Sequence, residues 1–569
     1  MRVVPEAASR APSARRDGSD RPADSRLQRA RGLAARTWSG HRLFILVLIP
    51  AVLLRADAEL GYRWQAWFND SFLYVQDTVH FNLDPTRVSG YSVFLKILEP
   101  IHSYAIVTIL QHLMGLSVAV MIYALARHRF GAAAWLATLA TVPVLYDGYQ
   151  IELEHLILSD VPFLFVIMLA TTLLLWDPSG PSIRRSAVIG LLLGLSIVLR
   201  SLGEPVLALF VVYMIIRRFN WRKIVATLAV GLVPVLAYAG VFDLEHGQFA
   251  MSDTGVYLYA RVMTFAECPK MHVPVDELWL CTVQAPDQRV LAQNFIWRST
   301  AHTPLDRYQA PVFSPEVNKL AENFAIRAIE AQPLDYAKAV AADTWRVFDW
   351  NRQVFPNAQT YDEYEFLAQA PPIPTWDNNA SLGRYRSYAA AYVQGNPETQ
   401  LVNPYAVIIR DYQKYVWLPG TIYGLILLTG LGGLVLAWRR LGGEALLPWA
   451  ISLALIAGPA ATAEFDYRYV LPAVPFACLA AVIAFSPGTA GGAWARRLAD
   501  AVRRTVGGSA GSAGTTAATG TTAATETTAA TETATEAGRA TGTGRVSAVA
   551  GGTSAEAGDD ERNLATDGA

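Results

Sequence analysis

Residues 187–242 read AVIGLLLGLSIVLRSLGEPVLALFVVYMIIRRFNWRKIVATLAVGLVPVLAYAGVF. Three apolar runs follow one another, parted by two breaks of opposite character. The first break carries a lone Arg200; the second crowds Arg217, Arg218, Arg222 and Lys223 together. The same alternation runs from Leu43 to Phe485. Short arginine-rich loops (Arg127-His128-Arg129, Arg184-Arg185, Arg439-Arg440, Arg496-Arg497) take turns with loops that hold acids and aromatic residues. By the positive-inside rule the arginine loops are cytoplasmic. The other set, with Asp70, Asp77, Glu152, Glu154, Arg200, Asp466 and Arg468, then faces outside. At 569 residues, 52% hydrophobic and a mean hydropathy of +0.25, the chain reads as an all-α polytopic membrane protein. About ten transmembrane helices and a mainly helical extracytoplasmic segment are expected.

The expected spans are Leu43–Arg55, Tyr104–Ala126, Ala132–Leu145, Leu153–Trp176, Ala187–Leu199, Pro205–Ile216, Ile224–Phe242, Val416–Trp438, Ala445–Ala461 and Val470–Phe485. Residues 1–41 read as a disordered basic cytoplasmic arm, not a signal peptide, and the first span lacks a cleavage site. Residues 42–242 form a transmembrane catalytic part of seven spans with an outer loop at 57–102. Residues 243–415 form an extracytoplasmic domain, 416–486 hold spans eight to ten, and 487–569, with TTAATE-like repeats, read as a disordered cytoplasmic tail. An even span count puts both termini in the cytoplasm of a plasma-membrane protein. The net charge of −1 hides this asymmetry. Membrane topology already accounts for the basic residues, so a nucleic-acid partner is not expected.

Within the outer segment, Ser314-Pro315-Glu316 is a helix start: a capping hydroxyl, a proline at the first position and an acid against the dipole. Leu320, Phe324, Ala328 and Ile329 continue the helical period until Gln332-Pro333 stops it. A second helix is expected over Leu334–Phe348, and Phe355–Pro397 reads as irregular. Cys268 and Cys281 lie in this segment, where a disulfide would contribute on the order of 3 kcal/mol; free thiols are the alternative. Cys478 is expected in the core of the last span.

The chemistry-bearing residues fall in four places. The first outer loop contains FNDSFLYVQD, where Phe68, Phe72 and Tyr74 flank Asp70. An acid held among these rings is partly desolvated, with a raised pKa suited to a general base; the structural alternative is a helix N-cap. Asp77, seven residues on, shares its helical face. The fourth span opens with Glu152, Glu154 and His155, then Asp160 one or two turns deeper inside an apolar helix. An intramembrane carboxylate is a functional candidate by default, against the alternative of a buried hydrogen bond. Glu154 is a weaker interfacial candidate and Glu152 is expected to be solvated. Arg200 ends the fifth span on the side where arginines are not favoured; a guanidinium there can hold a lipid phosphate by two hydrogen bonds or snorkel to headgroups. EFDYRYVLPAVP repeats the anomaly with Arg468, beside Tyr469 and near Glu464 and Asp466. A local ion pair is the alternative. The acids Asp70, Asp77 and Glu154 are compatible with a divalent ion, and no other cofactor is implied. CxxC, HExxH, P-loop and dinucleotide motifs are missing, so a His-based metal site has no support in the sequence.

Taken in order, these pieces resemble the glycosyltransferase C superfamily, in the branch with protein O-mannosyltransferases and aminoarabinose transferases. The resemblance rests on Asp70 in NDSFLY after the first span, Arg87 to Tyr91 as an Arg-x-x-Gly-Tyr stretch, an acid opening the fourth span, Arg200 ending the fifth, and RYVLPAVP at Arg468. It covers roughly Leu43 to Phe485, without most of the outer segment. Asn69-Asp70-Ser71 stands where the mannosyltransferases carry an Asp-Glu pair. The resemblance implies a polyprenyl-phosphate sugar as donor and an inverting displacement at the anomeric carbon. Asp70 would be the base, with Asp77 and Asp160 as further catalytic acids. Arg200 and Arg468 would hold the leaving phosphate, with Arg87, Tyr91, Glu154 and Tyr469 also contacting substrate. The acceptor would be a cell-wall glycan, lipoglycan or protein. A flippase for lipid-linked sugars would use the same arginines and is expected to show internal repeats and acids or broken helices at mid-membrane; no clear repeat is seen, and the polar residues cluster at one face, not along a path. A non-catalytic envelope scaffold would leave Asp70 dispensable.

Overall fold

A computed structural model describes residues 22–297, 303–307, 311–370 and 379–510. The first half of the expected basic arm and the repeat-rich tail beyond residue 510 lie outside the described residues. Residues 1–504 make one compact unit and 505–569 a second, of which only a helix end is described.

Helix α1 (Pro22–Gly61) carries the first apolar run and starts well before it, so the second half of the expected arm is helical. β1 (Tyr62–Arg63) follows and pairs antiparallel with β2 (Gln400–Leu401). The outer loop is itself helical: α2 (Asn69–His80) and α3 (Gly90–Leu98) pack together ahead of α4 (Tyr104–Ala124). Two short apolar helices, α5 (Ala134–Leu139) and α6 (Val142–Tyr146), lead to α7 (Gly148–His155) and α8 (Asp160–Leu175).

The expected fourth span is therefore two helices broken at Leu156–Ser159, and Asp160 opens α8 instead of lying inside it. Free backbone groups in an apolar setting need partners, and here they have them. Gln111 Nε2 donates to the carbonyls of Glu154 (3.0 Å) and Leu156 (2.7 Å). Ala66 bridges the break, its N–H on His155 O and its carbonyl accepting from Ile157 N.

Helices α9 (Ile183–Leu199), α10 (Gly203–Ile216) and α11 (Trp221–His246) follow. Gly190 and Gly194, four residues apart, let α9 meet α11 at backbone distance. A Cβ on Gly194 would lie 2.1 Å from the Gly231 carbonyl oxygen and 2.5 Å from Pro234 Cγ. This is small-residue packing of the kind membrane helices use.

The outer segment divides in two. Helix α12 (Gly255–Val262), α13 (Pro304–Arg307) and α14 (Pro315–Ala331) surround a separate core of Val256, Tyr259, Phe295 and Phe324. Cys268 and Cys281 are disulfide-bonded beside it. Ser314 caps α14 as expected, accepting from Val317 N, and α15 (Pro333–Arg346) begins one residue before the expected Leu334 and ends two before the expected Phe348. Beyond Val347 the segment packs on the membrane part, with Tyr364, Ala389 and Tyr392 in the main core. It is not irregular: α16 (Ala358–Asp362) and α17 (Asn379–Val393) lie within it, and Tyr385 and Tyr388 of α17 pack against Phe72 and edge-on to His80 of α2.

Helix α18 (Tyr405–Tyr415) meets α19 (Gly420–Leu436) at a 60° bend. Then come α20 (Leu446–Thr462), α21 (Val474–Ala484) with Cys478 buried, and α22 (Ala490–Ala510), a helix where a disordered tail was expected. Among the described residues four helical stretches are long and apolar enough to cross a membrane: 104–129, 221–246, 443–462 and 467–484. The bent α18–α19 pair makes a fifth, while α5–α6, α8 and α10 are apolar but shorter. Ten full-length spans are thus not matched; the break before Asp160 alone reduces one to 16 residues.

Candidate active site

Asp70 lies in the first turn of α2, one residue inside the helix; Phe68 is the N-cap, so the acid is not the cap. Its two oxygens take one arginine each. Arg87 Nη1, from the loop before α3, is 2.6 Å from Oδ1, and Arg468 Nη1 is 2.7 Å from Oδ2. Arg468 sits in the tight turn Tyr467–Tyr469, whose N-cap is Asp466. Its Nε is 3.2 Å from Asp466 Oδ2, its Nη2 donates to Tyr469 Oη at 3.2 Å, and its guanidinium lies over Phe68. Asp466 in turn accepts the hydroxyl proton of Tyr364.

Arg200, the C-cap residue of α9, donates to Asp160 at 2.5 Å. Asp160 at the start of α8 also has the positive end of the helix dipole to stabilise it. Arg200 and Arg468 both flank the ring of Tyr469, their guanidinium carbons 5.3 and 5.1 Å from its centre. Ser159 closes the group by a 3.1 Å hydrogen bond to Tyr74, whose ring faces Arg87. Arg87, Arg200 and Arg468 therefore converge with Asp70, Asp160 and Asp466 around Tyr74 and Tyr469. Asp160 Oδ1 is buried with no hydrogen-bond partner among the described residues, and buried Arg468 Nε meets Asp466 only as an ion pair, without hydrogen-bond alignment.

Other expectations change. Burial alone would raise the Asp70 carboxyl, but the charges of Arg468 and Arg87 outweigh it and hold it well below its ordinary value. Asp77, on the same helix, is instead pushed up to about 8 by burial and the nearby charge of Asp84, with Ser89 Oγ donating to it at 2.8 Å. Tyr91 is a core residue: fully buried, it donates to Gln111 at 2.6 Å. Glu154 is buried in a bidentate pair with Arg55 (2.7 and 2.9 Å), with His112 and Gln150 completing its shell. Glu152 is buried, not solvated. Asp70, Asp77 and Glu154 each have separate partners, so the three acids do not make a common cation site.

One residue was missed. Glu363, in α16's C-terminal turn, accepts the backbone N–H of Asn69 at 3.1 Å. Burial, then the charge of Asp70, push its carboxyl up to about 8. The only signal in sequence is the acid–aromatic run YDEYEF at 361–366, which lies some 290 residues from its partner.

No family model matches the chain, and no curated protein matches it. Among solved structures it is similar to the oligosaccharyltransferase of Archaeoglobus fulgidus tethered to an acceptor peptide, at 12% identity over 78% of this chain and 50% of that one, TM-score 0.35. The AglB oligosaccharyltransferase of Archaeoglobus fulgidus with an inhibitory peptide and a dolichol-phosphate gives 13% over 84% and 53%, TM-score 0.35. ArnT from Cupriavidus metallidurans bound to undecaprenyl phosphate gives 14% over 79% and 77%, TM-score 0.30. The chain spans about half the length of the oligosaccharyltransferases it matches. A likeness at this level assigns no residue a role, and function has to come from the site.

Proposed function

We propose that the protein is a membrane glycosyltransferase that moves a hexosyl or pentosyl group from a polyprenyl-phosphate donor to an extracytoplasmic acceptor: a cell-wall glycan, lipoglycan or protein. The observation that carries this reading is the pair Arg200 and Arg468 flanking Tyr469 beside the ionised carboxylate of Asp70. Three arginines and three aspartates balance in formal charge, so an anionic donor has to draw a guanidinium from a carboxylate. A donor phosphate on Arg200 and Arg468 takes over the Nη1 groups that now hold Asp160 and Asp70, and the planar fork of each guanidinium suits a second bond to phosphate. Losing Arg468 restores basicity to Asp70, because the opposite charge that depresses its pKa is spent on the phosphate.

The acceptor hydroxyl then forms its bond to the anomeric carbon from the face opposite the phosphate. Asp70 takes the hydroxyl proton, and the carbon–oxygen bond to phosphate breaks with its electron pair leaving on polyprenyl phosphate. The arginines stabilise that developing charge. Glu363, neutral beside the site at neutral pH, adds no repulsion to the incoming anion.

The test uses purified protein in lipid nanodiscs, a panel of radiolabelled polyprenyl-phosphate hexoses and pentoses, and cell-envelope extract as acceptor. Transfer by the wild type that falls ~100-fold or more in a folded Asp70→Asn variant is expected. Donor binding without transfer in the wild type would overturn the transferase reading in favour of a carrier; equal transfer by the variant would remove Asp70 as the base.

A further inference from the structure

A second polar cluster lies apart from the arginines and plays no part in the reaction above. Glu59 is in the last turn of α1, His112 in α4, and His155 ends α7. Glu59 Oε1 is 3.7 Å from His112 Nε2 and 3.8 Å from His155 Nδ1, and those two nitrogens are 3.3 Å apart.

The outer partners fix both tautomers. His112 Nδ1 lies 3.0 Å from Glu154 Oε2, a carboxylate clamped by Arg55 that can only accept. His155 Nε2 lies 2.7 Å from the carbonyl oxygen of Tyr62, which also only accepts. Both of these nitrogens therefore carry hydrogens. In neutral imidazoles that leaves lone pairs on His112 Nε2 and His155 Nδ1, facing each other. Neither buried Glu59 oxygen has a well-formed hydrogen bond; the one side-chain donor beside them is the Thr108 hydroxyl, which is shared with the backbone carbonyls of Trp64 and Tyr104.

Three acceptor atoms thus converge with no donor among them. One shared proton relieves one contact of the three; a cation relieves all of them. Tetrahedral bonds of 2.0–2.1 Å put neighbouring ligands about 3.3 Å apart, close to the spacings found. A ligating histidine that donates its other nitrogen to a carboxylate or carbonyl is the usual support of such a site.

We propose that Glu59, His112 Nε2 and His155 Nδ1 bind a divalent transition-metal ion of the zinc class, which ties α1, α4 and α7 together. Nitrogen and carboxylate donors suit zinc and its neighbours better than magnesium or calcium.

The full-length protein, purified without chelator, is expected to hold one zinc per chain by elemental analysis. After chelator treatment it is expected to take up one Co2+ with visible d–d absorption that zinc abolishes. Folded Glu59→Gln and His155→Asn variants are expected to bind Co2+ ~100-fold more weakly. If neither variant folds, X-ray absorption of the wild-type zinc protein decides: two imidazole ligands support the site, and their absence overturns it. A wild type that takes up no Co2+, leaving a shared proton to join the three groups, also overturns it. So does a folded double variant that retains full stoichiometry.

Discussion

Arg55 and Glu154 offer the sharpest test of what holds the helix ends together. Glu154 accepts four side-chain hydrogen bonds, two of them from Arg55, and Arg55 also donates to the carbonyls of Leu145 (2.9 Å) and Val144 (3.3 Å) at the end of α6. Arg55→Met removes the counterion and leaves a carboxylate with no measurable access to water. Breaking a buried pair from one side costs about 3–5 kcal/mol, and the two orphaned carbonyls add to it because a helix end needs partners. Arg55→Met with Glu154→Leu removes both charges and is expected to recover most of the loss, giving a coupling of about 3 kcal/mol in a double-mutant cycle. Equilibrium unfolding in mixed micelles, followed by tryptophan fluorescence, reads all four proteins. A single Arg55→Met loss below ~1 kcal/mol, or single losses that simply add, would refute the reasoning.

Three further outcomes are expected. Asp77 has a folded pKa of about 8, above its ordinary 3.8, so its contribution to stability is full below ~4 and is lost as pH rises through ~8; Asp77→Asn should therefore gain thermal stability relative to the wild type between pH 5 and 9, and parallel curves would contradict the assignment. Gly194→Val should cost about 1–3 kcal/mol by forcing α9 from α11 and lower transfer by moving Arg200, so a variant with wild-type unfolding would show that this approach is not tight. Arg468→Lys keeps the charge but loses the fork that spans Asp70, Asp466 and Tyr469; the donor KM should rise ~10-fold or more, and an unchanged KM would take Arg468 out of donor binding.

What the sequence made legible was whatever local rules determine. Ser314-Pro315-Glu316 located α14 to the residue, because caps act within one turn. Arg200 and Arg468 stood out because membrane sidedness sets an expectation that they break. The break at Leu156–Ser159 was hidden, since LILS looks like any apolar run and the residue that satisfies it, Gln111, belongs to another helix. The sign of the Asp70 shift depends on two arginines supplied from elsewhere, and burial by aromatic rings, visible locally, pointed the wrong way. Glu363 and the trio Glu59, His112 and His155 share no motif at all; only the packing of distant segments brings them together.

Asp70 and Arg468 are 398 residues apart in the chain. During synthesis the carboxylate is made early and its partner among the last of the described core. A growing chain at the membrane therefore has Asp70 with Arg87 alone, and Arg200 without the phenol of Tyr469, until α20 and the turn after it have been inserted. The cluster of arginines and aspartates is finished only when nearly all of the protein is in place, so a stalled or truncated product lacks the contacts that Arg468 and Tyr469 bring to it.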